Sequence, residues 1–294
     1  MRPVYGARME TQTDEITVAD GTLRIARYGK GDRLVIAVHG ILGSLKTWGP
    51  IAAALPADHC LLAMDLRGHG HSYRLPGPYG LDRLAEDVLS VVDRFAGPDT
   101  VLTGHSMGGT LAALVGAQRS FRKVVMIDGG LPLAVPEGAD PERVMQGMFG
   151  QAIERLGRTF PTLDAYRTFF LEHPVFAGWR TTGSEDYARY DALNTAAGFR
   201  SRVREEAVRQ NGRWLASHGA EIGAALEKVA SPLALLRAAR GRVNEPGGMI
   251  PEAVVAEWRR RLPDLHDEVL DDVNHYSILF DARSVERIAA VLTA

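Results

Sequence analysis

One cysteine, Cys60, occurs in 294 residues. A lone cysteine excludes an internal disulfide and leaves no thiolate cluster for a metal. It follows Pro-Ala-Asp-His and opens an apolar run, as a buried structural thiol would. Lysine is nearly as scarce, with 4 against 30 arginines. That imbalance is read as GC-rich coding, not as a binding surface. Charge of one sign is also missing: the formal net charge is −2, which gives no reason to expect nucleic acid or an anionic membrane as partner. No stretch approaches ~18 consecutive apolar residues, and the first fifteen contain no apolar core of a signal sequence. No stable membrane insertion is therefore expected, and a reduced, cytoplasmic setting is.

What is present is ample apolar material in a distinct order. Glu15–Asp20 and Thr22–Gly29 read as the two strands of a hairpin turning near Asp20-Gly21. Arg33–Gly40, His59–Gly68, Thr100–Ser106, Lys123–Gly130 and Pro232–Gly241 are apolar almost throughout, as strands buried on both faces should be. Helical patterns separate them, notably Ser44–Leu55, Leu81–Ala96 and Met107–Gln118. His266–Val273 supplies a last strand and Ser284–Ala294 a closing helix. This alternation predicts an α/β fold, a mostly parallel eight-stranded sheet with helices on both faces.

The alternation stops after Gly130. Residues 131–227 show helical periodicity and loops but no convincing strand. They are read as a helical cap (lid) inserted into a core made of 1–130 and 228–294. Met145, Met148, Phe149, Phe160, Phe169, Phe170, Phe176, Trp179, Tyr187 and Tyr190 fall here. Most are expected to be the insertion's own core, with an inner face shaping a pocket. Its arginines (Arg143, Arg155, Arg158, Arg167, Arg180 and Arg189 among them) are read first as a solvated helix face. The alternative is that one binds a substrate carboxylate, and the sequence commits to no anionic substrate.

Gly104-His105-Ser106-Met107-Gly108 fits the G-x-S-x-G nucleophile elbow. It follows an apolar strand and opens a small-residue helix, the context the motif requires. A serine at the tip of so tight a turn sits at a strained backbone angle, and side chains two positions either side would collide across it. Ser106 is the expected nucleophile.

With this elbow, the segments Val38–Ser44 (VHGILGS), Asp65–Ser72 (DLRGHGHS) and Val273–Leu279 (VNHYSIL) make the chain resemble α/β-hydrolases of the capped esterase and C–C-hydrolase type. The resemblance covers nearly the whole length except the insertion. It implies an oxyanion hole formed by the backbone N–H groups of Ile41 and Met107, and a structural role for His39, His69, His71 and His105. The spacing of His69 and His71 suggests metal ligands, but no further ligand follows at a useful interval. Neither a metal nor another cofactor is expected. His275, on a loop after the last strand, is the expected general base.

The acid is harder to place. In most proteins of this kind it is an aspartate after the strand read at Pro232–Gly241, and the loop there (RVNEPGGMIP) has none. Asp128, ending the preceding strand, is preferred. Glu245, in the usual loop, is the alternative. Asp272 lies three residues from His275, too local to align its ring.

A serine nucleophile argues against haloalkane dehalogenases and epoxide hydrolases, whose resembling members use aspartate there. The leading expectation is a serine hydrolase cleaving the carboxylic ester of a small to medium, partly apolar acyl substrate through an acyl-enzyme. Alternatives are C–C, thioester or lactone hydrolysis, cofactor-free lyase chemistry, or a non-catalytic binding protein on the same fold.

Overall fold

The computed structural model describes residues 11–136, 138–173 and 181–294. Phe176, Trp179 and Arg180 lie outside the described residues. Strands β1 (Thr11–Val18) and β2 (Gly21–Tyr28) form the expected hairpin, turning through Asp20 at φ +69°. β3 (Arg33–Val38), β4 (His59–Met64), β5 (Val101–His105), β6 (Lys123–Ile127), β9 (Leu233–Ala238) and β10 (His266–Leu270) complete an eight-stranded sheet in the order β1-β2-β4-β3-β5-β6-β9-β10. Pairing is antiparallel from β1 to β4 and parallel from there to β10.

The continuous apolar runs have a simple cause. Successive residues of a strand point to opposite faces, and here both faces are covered. Leu34, Ile36, Val38, Leu62, Met64, Leu102, Val124 and Met126 pack on one face with helices α2 (Leu81–Phe95) and α3 (Met107–Gly116). Val35, Ala37, Leu61, Ala63, Val101, Val125 and Ile127 pack on the other with α1 (Gly49–Ala54) and the C-terminal helix α10 (Ala282–Thr293).

Between β6 and β9 lie α4 (Pro141–Leu156), α5 (Leu163–Leu171), α6 (Thr182–Asp191), α7 (Glu205–Ser217) and α8 (Gly219–Lys228). α4 starts where the Asp140 carboxylate caps the N–H of Glu142 with Pro141 in the first turn. It packs on α7, and Glu142 pairs across that interface with Arg213 at 2.9 Å. α8 packs on α3, so the end of the segment covers the sheet.

Two strands occur where the sequence suggested none. β7 (Ala192–Thr195) and β8 (Gly198–Ser201) form a small hairpin. Four residues each are too few for alternation to stand out, and the turn is marked only by Gly198 at φ +115°. Among the insertion's aromatics, Tyr166, Phe170 and Tyr187 are buried in the second core cluster, as packing residues should be. α9 (Glu252–Arg261) separates β9 from β10.

Candidate active site

The register of β5 and β6 sets the geometry. His105 pairs with Ile127 at the carboxyl edge of the sheet, so Ser106 and Asp128, one step further on each strand, come out side by side. The Ser106 N–H still donates to the Ile127 carbonyl at 2.8 Å, and the Asp128 N–H to Leu236 at 2.7 Å. Both residues then leave the sheet with positive φ, +55° and +44°.

At Ser106 this conformation is strained for an L residue. The glycines around it permit the turn: a Cβ on Gly104 would lie 1.9 Å from the Gly108 carbonyl oxygen, and one on Gly108 2.1 Å from that of Val38. Helix α3 begins immediately after Ser106, with its positive end at the hydroxyl.

His275 is delivered by a loop that Asn274 folds. The Asn274 Oδ1 accepts the N–H groups of Tyr276 and Ser277 at 2.9 and 2.8 Å, while Ser277 Oγ accepts the Asn274 N–H. This places His275 Nε2 3.0 Å from Ser106 Oγ and Nδ1 2.6 Å from Asp128 Oδ2. The other Asp128 oxygen accepts the Ala238 N–H at 3.0 Å. Asp128 and His275 are almost fully buried, at 2% and 5% exposure. With a carboxylate accepting at Nδ1, the neutral ring keeps its proton there and turns a lone pair toward the serine.

The other acid candidates lie elsewhere. Glu245 is exposed, and its carboxylate accepts the Val243 N–H of its own loop at 2.9 Å. Asp272 pairs with Arg240 at 3.2 Å.

Ile41 and Met107 line the cavity above Ser106, and among the described residues neither N–H has a protein acceptor. The Ile41 loop is held from behind. His39 donates from Nδ1 to the Gly40 carbonyl at 2.7 Å and accepts the Leu66 N–H at Nε2. His69 Nε2 lies 2.6 Å from the Ile41 carbonyl, and the Tyr187 hydroxyl donates to that of Leu42. Burial lowers the pKa of His39 and of His105 well below the usual histidine value, which keeps both rings neutral. His105 also donates to the His275 carbonyl at 2.8 Å, tying the elbow to the base loop. His71 stands against Tyr190, 4.7 Å between ring centroids. No group of three metal-ligating side chains occurs among the described residues.

A family model of the α/β hydrolase fold matches residues 33–282. The chain belongs to that family. Among curated relatives of this α/β hydrolase is 3-oxoadipate enol-lactonase 2 of Acinetobacter baylyi, 34% identical over 97 residues, 33% of this chain and 36% of that protein. The 2-(acetamidomethylene)succinate hydrolase of Mesorhizobium japonicum is 24% identical over 87% of this chain and 85% of its own. The chain spans less than half the length of the first curated relatives it matches. Its fold is similar to that of a solved E-2-(acetamidomethylene)succinate hydrolase (TM-score 0.80, 20% identity, 97% of this chain and 100% of the other). It is also similar to a thioesterase domain from the curacin biosynthetic pathway (TM-score 0.75, 17% identity, 97% and 99%).

A cavity of about 120 Å³ opens over Ser106 and His275 in this α/β hydrolase. Its walls are mainly apolar and come from both the sheet edge and the segment after β6, including Leu131, Met148, Phe149 and Leu215. A second cavity of about 370 Å³ adjoins it, sharing Leu42, Met148, Tyr187, Arg242 and Tyr276. Of these, Arg242 and the hydroxyl role of Tyr187 carried no signal in the sequence. Asn274 did carry one, an Asn two and three residues before the N–H groups it accepts. No described helix is long and apolar enough to cross a membrane.

Proposed function

We propose that the chain is a serine hydrolase that cleaves the carboxylic ester of a small to medium, partly apolar acyl substrate. The observation that carries this reading is the unbroken hydrogen-bonded chain from Ser106 through His275 to Asp128, at the floor of a mainly apolar cavity that Ile41 and Met107 also line.

In the proposed reaction Ser106 Oγ attacks the ester carbonyl while His275 Nε2 takes its proton. Asp128 holds the ring and stabilises the imidazolium, without itself taking the proton. The negative charge developing on the carbonyl oxygen is met by the N–H groups of Ile41 and Met107, in a mainly apolar site. Collapse breaks the ester bond. His275 passes its proton to the departing alkoxide, leaving an acyl-enzyme on Ser106. Water then attacks this ester, giving its proton to His275 and releasing the acid.

The division of the chain belongs to the same proposal: 1–130 and 228–294 act as the hydrolase core and 131–227 as a cap whose Met148, Phe149 and Tyr187 roof the cavity. So does a cytoplasmic setting, supported by the buried, unpaired Cys60. Relatives named lactonase and thioesterase make lactones and thioesters natural members of a substrate panel.

The test is intact-mass analysis after treatment with a fluorophosphonate, alongside Ser106→Ala. A single adduct on the wild type and none on the variant is the expected result. Folded wild-type protein that takes no adduct, and turns over no activated ester, would favour the binding-protein alternative.

A further inference from the structure

The outer cavity is bordered by two guanidinium groups from different parts of the chain. Arg155 comes from the last turn of α4, and Arg242 from the loop after β9. Several arginines elsewhere have acids: Arg67 holds Asp87, Arg167 holds Asp164 and Glu185, Arg237 holds Asp267, and Arg287 holds Glu268. Among the described residues, neither Arg155 nor Arg242 forms an ion pair with a carboxylate. Arg155 instead lies over the Phe170 ring, 5.0 Å from its centroid. Arg242 spends one N–H on the Met148 carbonyl, which leaves most of its five donors for another partner.

Two nearby acids feel these cations, Asp191 that of Arg155 and Glu245 that of Arg242, but neither forms an ion pair with them. Glu245 also borders the outer cavity, but it is exposed and engaged with the Val243 N–H. Asp191 is buried behind the wall, where it accepts the Tyr166 hydroxyl, and burial raises its pKa. His173, on the same wall, has its pKa lowered by burial and by Arg155, which keeps it neutral.

Arg242 borders both cavities, so the cationic region begins where the apolar chamber over Ser106 ends. A guanidinium offers paired N–H groups that match a carboxylate, and such bonds strengthen where water is partly excluded. We infer that the substrate carries a carboxylate group, gripped between Arg155 of the insertion and Arg242 of the core, while its acyl carbon sits at Ser106. This rests on the hydrolase reading above and narrows it to acidic acyl compounds. It also takes, for Arg155, the alternative to a solvated face, since this arginine lines a cavity.

The test compares kcat/KM for the p-nitrophenyl monoester of glutaric acid with that for its methyl-capped diester, which has the same acyl chain plus one methyl and no charge. The wild type should favour the acid, and Arg155→Gln combined with Arg242→Gln should lower the acid-to-neutral ratio by about 10- to 100-fold, the worth of one or two charge-assisted hydrogen bonds. Because Arg242 also holds the Met148 carbonyl, Arg155→Gln alone must lower the ratio in the same direction. A ratio unchanged by these substitutions overturns the inference even if both esters are cleaved.

Failure of the hydrolase reading is seen separately, as no turnover of either ester and no fluorophosphonate adduct. In that event calorimetric titration of glutarate decides. Binding to the wild type that the double substitution abolishes upholds the anion site, and binding that is absent or unaffected removes it.

Discussion

Asp128 performs two tasks with two oxygens, one on the Ala238 N–H and one on His275. This makes Asp128→Asn an informative substitution. If the amide oxygen keeps the Ala238 contact, the amide NH2 faces Nδ1 and forces the ring proton to Nε2, where it can no longer accept from Ser106. Turnover should fall by about 10³- to 10⁴-fold, with the unfolding midpoint near that of the wild type. Glu245→Gln should leave turnover of a neutral activated ester close to wild type, since its carboxylate reaches only its own loop. The reverse pattern in a kinetic comparison of the two variants would move the acid to Glu245. At this scale the sequence was informative about Ser106 and His275, because motif and position each constrain them. The acid was ambiguous because a carboxylate's role depends on which neighbour it meets across 147 residues of chain. No local pattern encodes that. Arg242 was silent for the same reason: an arginine in an irregular, glycine-containing loop has no periodicity to betray the cavity beside it.

Among the elements, the central strands and the flanking helices α2, α3 and α10 were legible because their apolar periodicity is dictated by burial on one or both faces. The β7–β8 hairpin was not, its strands being too short to alternate visibly. The elbow joins strand to helix at a point where backbone meets backbone. Gly104→Ala would drive a Cβ to 1.9 Å from the Gly108 carbonyl oxygen, and no side-chain rotamer can relieve that. The expected cost is about 3 kcal/mol, the upper end of what overpacking costs, and whatever protein folds should have Ser106 displaced. Chemical denaturation together with the rate of fluorophosphonate labelling checks both parts. A variant as stable and as reactive as the wild type would mean that the turn is looser than its geometry indicates.

For the molecule as a whole, Asp65 is a meeting point. It is fully buried at the end of β4, accepting the N–H groups of Leu45 and His71 and the hydroxyl of Tyr190, which comes from α6 in the insertion. Burial raises its pKa from 3.8 to about 6 despite these bonds. The folded protein thus retains a proton that the unfolded chain releases near 3.8. Between those values the folded state binds more protons, so this contribution is complete at low pH and is lost as pH rises to about 6, on the order of 3 kcal/mol. Asp65→Asn does not titrate, so its deficit in melting temperature relative to the wild type should shrink as pH rises from 4 to 7. A deficit that stays constant would show that Asp65 ionises normally. The placement of Asp128 has a further consequence, for redesign. In the proposed triad the acid follows the strand beside that of the nucleophile, so sheet register holds Ser106 and Asp128 together and the loop after β9 carries no triad member. Provided Asn244 is kept, whose side chain accepts from Asn274, that loop is an exchangeable cassette. Substrate preference can be rewritten there by grafting or randomisation while the reacting groups stay where the sheet puts them.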